Sequence, residues 1–271
     1  MNINSWLNFI TKELSGLIEN PRREAELIVM HYLNRDQLWL IGNSAYEIED
    51  DKKLYEWIQR RSKNEPLEYI TNSVSFYSQN FFIKEGALIP RPETEILIDE
   101  VCKYIESSFS GLIVEVGVGS GIISILLAQK LPLAKIIAVD ISEEALEVAK
   151  QNIANFGFSD RIELRKGSLL SVVDEKVDVL VSNPPYIANE APLESNLSYE
   201  PSLALFGGNI GDEIVNELLN IALDRNIKYF FCEFGYDQKD KVSQYLKNYE
   251  YKELTFYKDW SNFDRGFTLR L

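Results

Sequence analysis

Leu112-Ile113-Val114-Glu115-Val116-Gly117-Val118-Gly119-Ser120-Gly121-Ile122-Ile123 is the stretch on which the fold turns. The apolar run 111–116 predicts a buried strand, and residues 122–131 predict a helix. Three glycines at alternate positions lie between them. Glycine lets a backbone turn sharply and lie directly against a ligand. A strand–glycine loop–helix unit sets its loop at the carboxyl edge of a parallel sheet, where ligands bind. The third glycine comes one place earlier than in a dinucleotide fingerprint, which disfavours NAD.

Downstream the chain alternates. Strands are expected at 136–139, 162–164, 177–181 and 229–233, and helices at 143–156, 210–223 and 238–247. Such alternation predicts an α/β domain with a mostly parallel sheet covered on both faces. Two further strands, 254–257 and 266–271, have no helix between them and predict an antiparallel edge. Asp140 closes the second strand, about 20 residues beyond the loop, where a carboxylate accepts hydrogen bonds from ribose hydroxyls. Ser142 is the better cap for the helix that follows, which leaves Asp140 available. Loop and carboxylate together predict a nucleoside-containing cofactor.

Upstream, residues 1–70 read as a small helical bundle. Trp6, Ile10, Leu14 and Leu17 recur at helical spacing, Pro21 opens a second helix with Ala25, Ile28, Val29 and Tyr32 on one face, and Leu54, Trp57 and Ile58 point inward from a third. In 73–83 the period becomes two, with Val74, Phe76, Phe81 and Ile83 flanking Ser78-Gln79-Asn80, a β-hairpin pattern. The expected organisation is a helical substrate-recognition domain at 1–70, a hairpin linker at 71–90 and a catalytic domain at 91–271.

Composition narrows the functions. Of 271 residues, 28 are basic and 42 acidic, giving a net charge of -14, which opposes a broad nucleic-acid-binding face. The single histidine, His31, lies in an amphipathic helical stretch, so a histidine-based triad or a multi-histidine metal site is not expected. Cys102 and Cys232 show no zinc spacing, and so few cysteines suit a reducing compartment. No apolar run reaches membrane-spanning length and the N-terminus has no signal pattern, so the reading is a cytoplasmic protein, by default a monomer, with no membrane partner, no stable nucleic-acid partner and no metal.

After the fourth strand of the alternating region comes Ser182-Asn183-Pro184-Pro185-Tyr186, again at the carboxyl edge. As a bare loop, this is an extended segment held by its prolines. As a site, it supplies a side-chain carbonyl at Asn183, a stiffened backbone carbonyl at Pro184 and an aromatic face at Tyr186. Two acceptors can hold the N–H groups of a planar amide or aromatic amine, whose delocalised lone pair makes it a poor nucleophile, and orient it towards an activated methyl group.

This segment resembles the Asn-Pro-Pro-Tyr signature of amino-methyltransferases acting on glutamine amides or on adenines. Nearly the whole chain resembles the peptide chain release factor N5-glutamine methyltransferase family. The likeness includes the helical N-terminal region, Leu88-Ile89-Pro90-Arg91-Pro92-Glu93-Thr94-Glu95, the glycine loop, Asp140, Asn183 to Tyr186, Glu200-Pro201, Gly207-Gly208 and Asp264-Arg265. It implies a Rossmann-like class I methyltransferase domain, with a mostly parallel sheet and an antiparallel C-terminal strand, behind the helical domain. It implies S-adenosylmethionine as cofactor, with S-adenosylhomocysteine as product, and the glutamine of the Gly-Gly-Gln motif of class 1 release factors as target. By the same resemblance Gly117, Val118, Gly119, Ser120, Gly121, Asp140, Ser168 and Asn183 hold the cofactor. Asn183, Pro184, Pro185 and Tyr186 hold the glutamine, and Asn183, Pro184 and Tyr186 carry the reaction. Val118 stands where threonine is common, Glu115 where aspartate is common, and Ser168 is smaller than the family's usual adenine contact. An adenine-N6 nucleic-acid methyltransferase and a catalytically silent cofactor-binding protein are the alternatives.

Overall fold

The computed structural model describes residues 1–49, 51–193 and 195–271, and contacts divide the chain into two units. The first runs from Met1 to Ser73 and takes in the 3-10 helix Ser195–Tyr199; the second holds the remainder from Val74 onward.

The first unit is built from α1 (Ile3–Glu13), α2 (Pro21–Leu33), α3 (Gln37–Gly42), α4 (Lys52–Arg61) and α5 (Leu67–Thr71). The side chain of Asn2 caps α1 by accepting from Ser5 N, and that of Asn20 caps α2 by accepting from Arg23 N, with Pro21 in the first turn. Trp6, Ile10, Leu14, Ile28, Val29 and Leu54 are fully enclosed in its core. Glu24 of α2 pairs with Arg61 of α4. Leu17 departs from the expected stripe: α1 ends at Glu13, Gly16 turns the chain at positive φ, and Leu17 is 55% exposed. His31 lies in the last turn of α2.

The second unit opens with a hairpin of β1 (Ser73–Phe76) and β2 (Gln79–Phe82), turned by Tyr77 and Ser78, both at positive φ, as a two-residue primed turn requires. Then follow α6 (Thr94–Tyr104), β3 (Leu112–Val116), α7 (Ile122–Lys130), β4 (Lys135–Asp140), α8 (Glu143–Asn155), β5 (Ile162–Lys166) and β6 (Val179–Ser182). A short side ribbon pairs β7 (Ile187–Ala188) with β8 (Phe206–Gly208), and α9 (Ser202–Leu205) lies between them in sequence. The chain closes with α10 (Glu213–Asp224), β9 (Tyr229–Glu233), α11 (Lys239–Tyr245), β10 (Glu253–Lys258) and β11 (Asp264–Arg270).

The main sheet has the order β10-β11-β9-β6-β3-β4-β5. Strands β5, β4, β3, β6 and β9 pair parallel, and β11 runs antiparallel between β9 and β10. This is the mostly parallel sheet with an antiparallel C-terminal strand that the alternation implied. Phe230 of β9 and Phe267 of β11 meet edge to face at 5.2 Å in the core beside β11. From β3 the chain moves outward through β4 and β5, then returns to the other side of β3 as β6. That reversal opens a crevice beyond the carboxyl ends of β3 and β6, the position at which doubly wound sheets bind ligands.

A buried side chain of α8 ties the hairpin to the rest of the second unit. Asn152 of α8 accepts from Phe82 N at 2.8 Å and donates to Phe82 O and Ser120 O, each at 2.8 Å, while Phe81 stacks on Phe156 at 4.6 Å. Asn152 therefore clamps both the hairpin and the end of the glycine loop. Among the described residues, no helix is long and apolar enough to cross a membrane, no group of acidic, histidine or cysteine side chains is placed to hold a metal ion, and Cys102 and Cys232 are free thiols.

Replacing Asn152 by alanine leaves the Phe82 and Ser120 groups unpaired in a buried site and should cost about 2–4 kcal/mol, since each orphaned buried group forfeits its desolvation energy. A lowered urea midpoint with unchanged slope is the expected result.

Candidate active site

Strand register assembles the site. Val116 of β3 is level with Val139 of β4 and Ser182 of β6, and Ser182 is level with Cys232 of β9. One residue further along each strand stand Asp140, Gly117, Asn183 and Glu233. The Ser182 hydroxyl locks the row by donating to Val116 O at 2.8 Å. The sequence-expected cofactor loop and the Asn183–Tyr186 segment are thus neighbours: a Cβ added to Gly117 would lie 3.7 Å from Asn183 O.

These ends open onto a cavity of about 420 Å³, within the range of small-molecule and cofactor pockets. Gly117, Val118, Gly119, Ser120, Asp140, Ser168, Asn183, Pro184 and Pro185 all line it. Gly121 does not. It takes φ +82, and a Cβ there would sit 3.2 Å from Ala149 Cα, so this glycine serves the approach of α7 to α8. Tyr186 does not line the cavity either. Its ring reaches towards Gly235, with a Cβ on that glycine 3.4 Å from Tyr186 Cδ2, and burial together with Glu233 pushes its hydroxyl up to about 12. Tyr186 therefore stays protonated.

The glycine loop is held by its neighbours. Gly117 N and Val118 N donate to Val139 O at 2.9 and 3.1 Å, and Gly119 N donates to Asp140 Oδ2 at 2.9 Å. Ser142 N donates to Asp140 Oδ1 at 2.9 Å, so the carboxylate is oriented from both sides. Burial raises its pKa, and these backbone donors pull it back. Each oxygen keeps acceptor capacity for a ribose hydroxyl.

Glu115 is 1% exposed and lines the cavity. Its Oε2 accepts from the Ser124 hydroxyl of α7, and its Oε1 has no partner. Burial pushes it up to about 8. An orphaned carboxylate oxygen beside an otherwise mostly apolar pocket is suited to a cation. The donor set fits S-adenosylmethionine: Asp140 for the ribose, Glu115 for the positive amino-acid end, and Val118, Ile141 and Leu169 as apolar contacts.

A strap (residues 86–91) and a second loop at 200–201, which leads into α9, border the pocket. Glu200, 7% exposed, accepts from Ile89 N at 3.1 Å and from the Arg91 guanidinium at 2.6 Å. Leu88 and Pro90 line the cavity on one side of this tie, Pro201 and Leu203 on the other. Arg91 thus pairs with a carboxylate and, through it, fastens the strap to the loop. Residues the sequence reading did not single out also line the pocket: Gly86, Ala87, Ile141, Ala145 and Leu169. Ile141, exposed to 56% immediately after Asp140, carried a faint signal as an apolar residue at a strand end; Leu169, held at φ +51, carried none.

Comparison with known proteins agrees in both units. Residues 5–71 match the family model of the PrmC N-terminal domain, and residues 92–197 match that of the Methyltransferase small domain. The release factor glutamine methyltransferase of Dictyoglomus turgidum is 39% identical over 250 residues, covering 90% of this chain and 88% of that protein. The release factor glutamine methyltransferase of Clostridium acetobutylicum is 33% identical over 253 residues, covering 89% and 88%. Among solved structures, the N-terminal domain of human METTL16 in complex with SAH superposes with a TM-score of 0.53 at 15% identity, over 89% of this chain and 90% of that one. That likeness concerns the fold, which is that of class I methyltransferases.

The Glu115 geometry has a measurable consequence. Below pH 8 the empty site holds this group protonated, and a bound cation favours its ionised form, so binding releases a proton. S-adenosylmethionine affinity should rise by up to about tenfold per pH unit as pH approaches about 8, then fall as the ligand's own α-ammonium group loses its proton. Calorimetric titration between about pH 6 and 9 should show this in the wild-type chain, and the rise should vanish in Glu115→Gln.

Proposed function

The chain belongs to the release factor glutamine methyltransferase family, and from that premise we propose that it methylates the side-chain amide nitrogen, N5, of the glutamine in the Gly-Gly-Gln motif of class 1 release factors. The observation that carries this reading is the meeting of Asn183 and Pro184 with Gly117–Ser120 and Asp140 around one cavity. S-adenosylmethionine, when bound, supplies a methyl group on positively charged sulfur that is already activated for transfer.

The chain's own task is then orientation. Gly117–Ser120 and Asp140 hold the cofactor. The Asn183 side-chain carbonyl and the Pro184 backbone carbonyl accept the two N–H groups of the glutamine amide. This pins the NH2 and favours a lone pair turned towards the methyl carbon. Pro184 is fixed in place because its peptide bond leads into Pro185. Pro185 lines the same pocket, and Tyr186 supports the segment from behind. With the cofactor bound, the new N–C bond would form as the S–C bond breaks, and the alkylated amide nitrogen would shed its proton readily. No strong general base is required, in keeping with a site that contains no histidine.

Residues 1–70 carry further recognition of the release factor in this reading, because a pocket built for one carboxamide reads little beyond a glutamine. The protein acts as a monomer in the cytoplasm, without a stable nucleic-acid or membrane partner. The net charge of -14 supports the absence of a nucleic-acid partner, and two free thiols support a reducing compartment.

Incubation of a class 1 release factor with the enzyme and S-adenosylmethionine should add one methyl group to the Gly-Gly-Gln peptide, detected by mass spectrometry of a tryptic digest; label appearing only on DNA would overturn the substrate assignment. Asn183→Ala should retain cofactor binding within a few-fold and lower turnover by about a hundredfold, the scale of losing one oriented polar contact to the reacting group.

A further inference from the structure

We infer that Thr94 and Glu233 are positioning residues that set which way round the Asn183 carboxamide faces. The inference deepens the proposed glutamine methylation and rests on that reading.

A carboxamide is nearly symmetric in shape, but its two ends have opposite hydrogen-bonding character. To hold the NH2 group of a substrate amide, Asn183 must present Oδ1. Turned over, it would present Nδ2–H groups to the substrate's own N–H groups, and the contact would become repulsive. Something in the protein has to distinguish the two orientations.

The structure contains one chain of hydrogen bonds that does so. The Thr94 hydroxyl donates to Glu233 Oε2 at 2.8 Å, and Asn183 Nδ2 donates to Thr94 Oγ1 at 3.0 Å. Glu233 stands at the head of this chain, and an ionised carboxylate is acceptor-only. A hydroxyl has a single proton. Once Thr94 has given its proton to Glu233, its oxygen can only accept, so the amide end facing it must be the NH2. Asn183 Oδ1 is then left for the substrate.

Neither residue is explained by the fold alone. Thr94 is 4% exposed and is the first residue of α6, and its hydroxyl turns to Glu233 of the sheet rather than to its own helix. Glu233 is 1% exposed, and its Oε1 has no partner. A carboxylate buried with so little compensation is costly. An apolar residue would serve packing better, and a glutamine could donate as well as accept. Only an acceptor-only group imposes a direction on the chain.

The direction depends on charge. Burial pushes Glu233 up to about 7, and Glu93 adds to this, while the Thr94 hydrogen bond, Arg265 of β11 and Arg91 of the strap oppose it. Tyr186, Tyr257 of β10 and Cys232 of β9 also face it, all with raised pKa values, and so stay neutral. A protonated Glu233 acquires a donor. It can give its proton to Thr94, freeing the Thr94 hydroxyl to donate to Asn183 Oδ1 and so reversing the amide. Turnover should therefore fall as pH drops through about 7, with cofactor kept saturating so that Glu115 does not contribute.

The test uses the full chain, a release factor and saturating S-adenosylmethionine. Thr94→Val should lower kcat by about ten- to a hundredfold, the range for a hydrogen bond within a charged network. KM for the release factor and the affinity for S-adenosylhomocysteine should stay within about threefold in that variant. Thr94→Ser should recover most of the loss. Glu233→Gln should lower kcat at high pH and flatten the acidic limb. A kcat for Thr94→Val within twofold of wild type, equal losses in Thr94→Val and Thr94→Ser, or an unchanged limb near pH 7 in Glu233→Gln would each overturn the inference. The orientation also has a readout that needs no substrate. In the S-adenosylhomocysteine complex, the Asn183 side-chain NH2 should exchange slowly by NMR, and faster in Thr94→Val. Equal exchange in the two would overturn the inference, whereas a wild-type chain that leaves the release factor unlabelled yet shows the protection would overturn only the substrate assignment.

Discussion

Parallel pairing in register across β4, β3, β6 and β9 is the constraint on which the rest depends. Val139, Val116, Ser182 and Cys232 share one level, so four loops leave the sheet at the same height. A shift of one residue in any pair would turn the side chains of that strand to the opposite face. Asp140, Gly117, Asn183 and Glu233 would then no longer converge. The buried aliphatic and aromatic content of these strands therefore acts on function as directly as the polar residues at their ends. Ser182, which spends its hydroxyl on Val116 O, belongs to the same device.

Around that row, the protein places buried and half-buried carboxylates, and gives each a different environment. Asp140 is oriented by two backbone donors and retains acceptor capacity. Glu115 has one hydroxyl partner and one orphaned oxygen beside the pocket. Glu233 has a single donor and faces arginines and tyrosines. Glu200 is consumed by Arg91 and the backbone of the strap. The same chemical group thus serves as a hydroxyl acceptor, a cation site, the head of a hydrogen-bond chain and a structural tie, according to what surrounds it.

The loop and helix elements were legible because their signals are local. The glycine spacing in 117–121, the strand before it, the helix after it and the stiff Asn183-Pro184-Pro185 segment can all be read from a few adjacent residues. Where the structure gives a residue a further packing task, the cause lies in a neighbour distant in sequence. Gly121 looks like part of a ligand cradle, yet it is needed for the contact with Ala149. Tyr186 looks like a pocket wall, yet its ring is drawn towards Gly235 and Arg265. Leu17, by contrast, leaves the expected helical stripe for a local reason: the helix has ended at Glu13 and Gly16 turns the chain at positive φ.

What the sequence by itself determined is the set of local units: a buried strand running into a glycine turn and a helix, capped helices in the first unit, a β-hairpin (though its turn is Tyr77-Ser78 and not the expected 78–80), and a rigid pair of carbonyls after β6. Residue volume, hydrogen-bonding capacity and backbone freedom dictate each of these within a few positions. Only the tertiary structure decided that Thr94 meets Asn183 across 89 residues, that Arg91 meets Glu200 across 109 and that Thr94 meets Glu233 across 139. It also decided which carboxylates are desolvated. Those outcomes follow from how whole strands and helices pack into a sheet with one register, a cooperative property of the folded chain that no short segment contains.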